Sequence, residues 1–109
     1  MKPFTDKVIQ IIKNIPKGKV MTYGQIARTA GRPRAARQVV RILHSMGRKY
    51  SLPWHRVINA RGQIAIKDEE GFFNQLSMLQ DEGVDVSKDG KVDLEVYLYS
   101  PEPIIDEEM

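Results

Sequence analysis

The chain has no cysteine in 109 residues. That excludes disulfides, a thiolate nucleophile and any cysteine-ligated zinc or iron–sulfur centre. It also fits a reducing compartment. Histidine is nearly as scarce: His44 and His55 are the only two. They stand too far apart for the i, i+4 pair of a metalloprotease helix. Phosphate-cradling glycine motifs and the Gly-x-Ser-x-Gly elbow are missing. No apolar run approaches the ~18–20 residues of a membrane span, and no signal-peptide pattern opens the chain. No metal, cofactor or membrane association is therefore expected. Acidic residues are nearly absent from the first part of the chain. Residues 1–67 hold 15 Lys/Arg and one acid, Asp6, for a net +14, whereas residues 68–109 hold 2 Lys and 13 acids, for a net −11. A split this sharp points to a basic face for a polyanion, with nucleic acid ahead of an anionic membrane surface. Solvated helix faces with an acidic tail are the plainer alternative.

What remains reads as one compact domain. Phe4, Val8, Ile11, Ile12 and Ile15 recur at helical spacing, so the pattern predicts an amphipathic helix over 4–15. Pro16-Lys17-Gly18-Lys19 ends it. Thr22-x-x-Gln25 reads as a capping box opening a short helix with Ile26 and Ala27. Gly31-Arg32-Pro33 turns the chain into a second helix from about Arg34 to Met46. Ala36, Val39, Val40 and Leu43 lie on or near one face of that helix. Arg34, Arg37, Gln38 and Arg41 lie on the other. Two short helices around a glycine turn make a helix-turn-helix. Small residues at Ala35 and Ala36 would let the backbone approach a groove closely.

Asn59-Ala60-Arg61-Gly62 reads as a turn, with Gln63–Ile66 as a return strand. Phe72, Leu76 and Leu79 predict a helix over about 69–81, stopped by Gly83. Val84 and Val86, then Val92, Leu94, Val96 and Leu98, alternate around Asp89-Gly90 and predict a small hairpin. Residues 100–109 carry two prolines and four acids and read as a disordered tail, leaving residues 1–99 as the domain. The expected fold is mostly α with a small β component, a single winged-helix-like domain containing the helix-turn-helix.

Four residues keep two readings open on the residues alone. Trp54 is either core packing or the wall of a site for a flat ligand, since aromatic faces stack on bases. His55, beside Arg56 and with Glu82 as a distant acidic partner, is either a general base or a hydrogen-bonded structural histidine. Tyr23 and Arg37 are either structural or DNA-facing, one against a phosphate and the other against a base edge or in the stack.

Taken in order, Pro16-Lys17-Gly18, Thr22-Tyr23-Gly24-Gln25-Ile26-Ala27, Ala35-Ala36-Arg37, Pro53-Trp54-His55-Arg56-Val57 and Glu82-Gly83 resemble the C-terminal DNA-binding domain of the O6-alkylguanine-DNA alkyltransferases. The resemblance spans residues 4–83. That family's motif is Pro-Cys-His-Arg-Val, whose cysteine takes the alkyl group from the lesion. Here Trp54 stands at that position, and no other cysteine exists. The resemblance is thus to the alkyltransferase-like branch, which binds O6-alkylguanine without removing the alkyl group and is implicated in handing it to nucleotide excision repair.

The resemblance implies roles residue by residue. Tyr23 would press on the backbone phosphate and Arg37 would enter the stack behind the flipped nucleotide. Trp54, Val57 and the 59–68 turn would form the lesion pocket, with Lys67 presenting a cation near the base. Gln25, Arg32, Arg34, Ala36 and Ala60 fall in segments that approach DNA. His55 and Glu82 match the activating base and its orienting carboxylate, retained without a catalytic role. Met46 stands where the family has an asparagine hinge. The recognition helix would lie in the minor groove, and Lys and Arg along residues 17–56 would neutralise phosphates. The expected protein is a monomeric, non-enzymatic damage sensor, cytoplasmic and nucleoid-associated in a bacterium or nuclear otherwise. A sequence-specific transcriptional regulator using the same helices is the alternative, and a hydrolase or glycosylase built on His55 and Glu82 is a further one.

Overall fold

The computed structural model describes residues 3–101, which form five helices and a two-stranded sheet. Helix α1 (Phe4–Lys13) is entered from Pro3, whose φ of −58° already suits a helix. Phe4, Val8 and Ile12 repeat every fourth residue and are buried along one stripe. The helix stops at Asn14 because Ile15 precedes Pro16, a position that disfavours helical backbone. After the short strand β1 (Met21–Thr22), Thr22 caps helix α2 (Tyr23–Thr29). The capping box is complete: Gln25 N–H donates to Thr22 Oγ1 at 3.1 Å, and Thr22 N–H donates to Gln25 Oε1 at 3.2 Å. Gly31, at φ +97°, closes α2 with a bond from Arg32 N–H to the Ala27 carbonyl at 2.9 Å. Helix α3 (Ala36–Met46) follows, burying Val39 and Ile42 against α1 and α2.

The remaining elements are a 3₁₀ turn (Trp54–Arg56), strand β2 (Val57–Ile58), helix α4 (Glu69–Asp81) and helix α5 (Leu94–Tyr97). Strands β1 and β2 pair in parallel, Met21 with Val57 and Thr22 with Ile58. Val20 bridges Leu98 on the other side. Side chains of neighbouring strand residues point to opposite faces. Met21 and Val57 therefore enter a core with α1, α2 and α3, whereas Val20 and Ile58 enter a second core with Leu76, Leu79, Val84 and Val92. The strand pair is a wall between two cores, and the 3₁₀ turn lies directly before it in the chain.

The expected class, mostly α with a small β component around a helix-turn-helix, is the one observed. Local boundaries differ. The helix expected over 4–15 ends at Lys13, and α3 starts at Ala36 instead of Arg34. The return strand expected over Gln63–Ile66 shrinks to one bridge between Gln63 and Lys91. The hairpin shrinks to one bridge, Val86 with Val92, and its second arm is helix α5. Asp93 explains the last change: its carboxylate accepts Glu95 N–H at 2.9 Å and caps a helix over residues that alternate like a strand. The tail expected over 100–109 lies outside the described residues from 102 onward.

Gly62 pins the loop after β2 to the segment before α5. It sits at φ +79°, and its carbonyl accepts Val92 N–H at 2.7 Å. A Cβ there would lie 2.5 Å from the Val92 carbonyl oxygen, a backbone atom with no room to move aside. Gly62→Ala is expected to lower the unfolding free energy by about 2 kcal/mol or more, from strained backbone and the clash together. Urea unfolding checks this: the midpoint should fall at unchanged slope, and an unchanged midpoint would contradict the close approach.

Candidate nucleic-acid interface

The helix-turn-helix gathers a basic surface. Arg32, Pro33, Arg34, Ala35, Arg37, Gln38 and Arg41 line one shallow open groove where the turn meets α3. Four arginines from ten residues thus share one surface, because α3 turns Val39 and Ile42 inward and leaves Arg37, Gln38 and Arg41 outward. Ala36 is half-buried at the start of α3, so little side chain separates backbone from solvent there. The Arg32 guanidinium lies 5.0 Å from the centre of the Phe4 ring, which holds it toward α1.

Tyr23 opens α2, half-buried against the first core. Burial pushes its hydroxyl above the usual tyrosine pKa, so it stays a neutral donor. Gln25 is committed inside the fold. Its Nε2 donates to the Tyr99 carbonyl at 2.6 Å while its Oε1 serves the cap. Val57 is 1% exposed and belongs to the core. Ala60 and Lys67 are exposed in the loop after β2. That loop is shaped by Asn59, whose Oδ1 accepts the N–H groups of Arg61 and Gln63 at 2.9 and 3.0 Å.

Trp54 is set by the local backbone. Pro53, at φ −75° and ψ 66°, forms an inverse γ-turn in which Trp54 N–H donates to the Leu52 carbonyl at 2.8 Å. Leu52 is buried and anchors the turn. The indole is half-buried and meets the His55 ring edge-on, with centres 6.2 Å apart and planes at 84°.

Behind Trp54 lies a half-buried ionic cluster. His55 Nε2 is 2.7 Å from Glu82 Oε2. Arg56 donates to the same carboxylate through Nε at 2.9 Å and Nη2 at 2.6 Å, and through Nη1 to the Ile15 carbonyl at 2.9 Å. Gly18 N–H donates to Glu82 Oε1 at 3.1 Å. Burial alone would raise the Glu82 carboxyl, but the bonds from Arg56, His55 and Gly18 outweigh it and lower the pKa to about 2. A carboxylate at neutral pH only accepts, so His55 Nε2 carries the hydrogen. His55 Nδ1 is buried and has no hydrogen-bond partner. Gln75, 2% exposed, donates its amide to the carbonyls of both His55 and Val57 at 3.0 Å and clips this segment to α4.

Of the residues singled out from the sequence, the structure brings together Arg32, Arg34 and Arg37 in the groove, and Trp54, His55 and Glu82 behind it in the chain. Arg56 and Gln75 were not among them. Arg56 was findable, standing inside the Pro-Trp-His-Arg-Val run. Gln75 carried no local signal, since its partners lie about twenty residues away.

The family model described as 6-O-methylguanine DNA methyltransferase, DNA binding domain, matches residues 3–84. A DNA base-flipping protein of Vibrio parahaemolyticus is 42% identical over 101 residues, covering 93% of this chain and the whole of that one. Among solved structures, Atl1 of Schizosaccharomyces pombe in complex with damaged DNA containing O6-carboxymethylguanine is similar, with a TM-score of 0.80 at 40% identity over 93% of this chain and the whole of that one. The O6-methylguanine methyltransferase of Mycobacterium tuberculosis is more distant, with a TM-score of 0.60 at 26% identity over 88% of this chain and 55% of that one.

The Glu82 cluster fixes an acid dependence. A carboxyl held below its unfolded value adds stability that is full above about pH 5.5 and is lost as pH falls toward 2. Glu82→Gln is expected to cost on the order of 2 kcal/mol at pH 7, because half-buried Arg56 loses its counter-ion and its charge-assisted hydrogen bonds. It should also flatten the stability profile between pH 5 and 3. Denaturant titrations across that range check both, and parallel profiles for the two proteins would contradict the assignment.

Proposed function

The chain belongs to the family of the 6-O-methylguanine DNA methyltransferase DNA-binding domain, and from that membership we propose that it is a non-enzymatic sensor of O6-alkylguanine in duplex DNA. One observation carries the reading. The base–carboxylate pair of an alkyl-transfer site is intact, with His55 2.7 Å from Glu82, while the residue before His55 is Trp54 and the chain holds no cysteine. An indole nitrogen is a poor nucleophile at neutral pH, so the pair has no thiol to activate. The site can bind and hold but has no group to accept an alkyl chain.

The physical sequence of events follows from the surface. The arginines of the groove neutralise phosphates and bring the duplex to α3. Tyr23, at the head of α2, presses on the backbone, and Arg37 fills the gap in the stack. Extrusion of a nucleotide costs on the order of a few kcal/mol, and less where alkylation has already weakened pairing. Trp54 then offers an aromatic wall to the flipped base, with Lys67 supplying a cation. Ala36 and Ala60 allow close backbone approach, and Arg32 and Arg34 take flanking phosphates. His55 and Glu82 act as scaffold. Because the lesion leaves this protein unaltered, removal falls to a further system, and nucleotide excision repair is the one that excises a bulky marked site. The place of action is the DNA itself, in a nucleoid or a nucleus.

Binding titrations against matched duplexes test the reading. Affinity for O6-methylguanine duplex should exceed that for undamaged duplex by about tenfold, roughly 1.4 kcal/mol. The recovered DNA should retain every methyl group. Equal affinities would sink the sensor reading, methyl loss would sink the non-enzymatic one, and tight binding to one undamaged sequence would favour a regulator. Arg37→Ala should lower lesion affinity by about tenfold or more while leaving the thermal midpoint unchanged, since Arg37 is exposed. An unaltered affinity removes Arg37 from the flipping role.

A further inference from the structure

Beyond the groove lies a second cationic feature that neither the fold nor the lesion site requires. Tyr50 follows the end of α3 and is 40% exposed. Two ammonium groups lie against its ring: Lys13 Nζ, from the end of α1, at 5.8 Å from the centroid, and Lys49 Nζ at 5.5 Å. Both lysines are exposed. Among the described residues every ion pair is made on Glu82, so neither lysine is neutralised by a carboxylate of the chain. We propose that Lys13, Lys49 and Tyr50 form a clamp for a DNA phosphate at the C-terminal end of α3, an inference that rests on the DNA-binding reading above.

The geometry selects phosphate over a stacked base. Two ammonium groups gathered at one ring attract an anion, whereas a stacked base would have to compete with them for the ring. What the ring does is hold two flexible lysines in place before any ligand arrives, so less side-chain freedom is lost on binding. Two like charges held at one ring also repel each other, and an anion placed between them relieves that repulsion. The platform is rigid. Tyr50 N–H donates to the Met46 carbonyl at 3.1 Å, Ser51 N–H to Arg48 at 3.1 Å and Leu52 N–H to Gly47 at 2.8 Å, while Ser51 takes the left-handed φ of 51°.

The clamp also continues the groove. Arg37, Arg41 and Arg48 follow at helical steps of four and seven along the exposed side of α3 and its extension. That track carries positive charge roughly 15 Å from Arg37 to the turn that holds Tyr50. A duplex lying along α3 presents phosphates over that whole length.

The test is the salt dependence of duplex binding by the full chain. Replacing both lysines, Lys13→Gln with Lys49→Gln, should make the slope of log K against log salt shallower by roughly 1.8, which is about 0.9 for each of two contacts. The affinity ratio of parent to variant should then shrink roughly tenfold between 50 and 200 mM salt. The change should be equal for lesion and undamaged duplexes, because a phosphate contact carries no lesion information. Tyr50→Leu should weaken binding at unchanged slope, and Tyr50→Phe, which keeps the ring, should restore it. Lys7→Gln with Lys88→Gln, which removes the same charge elsewhere, should leave the slope in place. An unchanged slope in the Lys13/Lys49 variant, or an equal loss in the Lys7/Lys88 control, overturns the clamp. Unchanged binding by Tyr50→Leu removes the ring from it. A parent protein showing no salt-dependent duplex binding would overturn the sensor reading itself.

Discussion

A single half-buried carboxylate organises the region around Trp54. Glu82 accepts from Gly18 N–H, from His55 Nε2 and from two nitrogens of Arg56, and Arg56 passes the connection on to the Ile15 carbonyl. Three segments distant in the chain meet there: the loop after α1, the 3₁₀ turn and the end of α4. A buried ion pair is weak evidence for net stability, because desolvation offsets most of the attraction. Its value is geometric. Remove the carboxylate and the Trp54–His55–Arg56 turn keeps the Gln75 clip, the Arg56 bond to the Ile15 carbonyl and its own short backbone bonds.

Charge is distributed so that this positioning is useful. The +14 and −11 halves are not neutralised against one another: of the nine described acids after residue 67, only Glu82 makes an ion pair. The remaining bases keep their field for a polyanion, and the acids on α4 and beyond keep the second half turned away from it. The parallel strand pair sits between the two cores, so the basic helices and the acidic helix are joined by packing and by the Glu82 cluster instead of by surface salt bridges.

What could be read from the sequence was what is encoded locally. The apolar spacing of α1, the capping box at Thr22 and Gln25, the glycine stop at Gly31 and the limits of α4 all depend on residues within a turn of one another. Pairings across long separations were invisible. The β1–β2 match joins Met21 to Val57, and two-residue strands leave no alternating pattern to detect. Competing local signals misled at residues 92–98, where strand-like alternation lost to an Asp93 cap. The site divided in the same way. Trp54, His55 and Arg37 stood in recognisable runs, whereas the commitment of Gln25 to Tyr99 and the burial of Val57 depend on which segments fold against them. Gln75 and the ordering of Lys13 by Tyr50 are likewise products of tertiary contact alone.

The position of Trp54 has one more consequence. It is the only tryptophan in the chain, and it stands half-buried, edge-on to His55, at the wall proposed to receive a flipped base. The protein is thereby its own optical instrument: its indole emission comes from one place and reports on the surroundings of that place without a label.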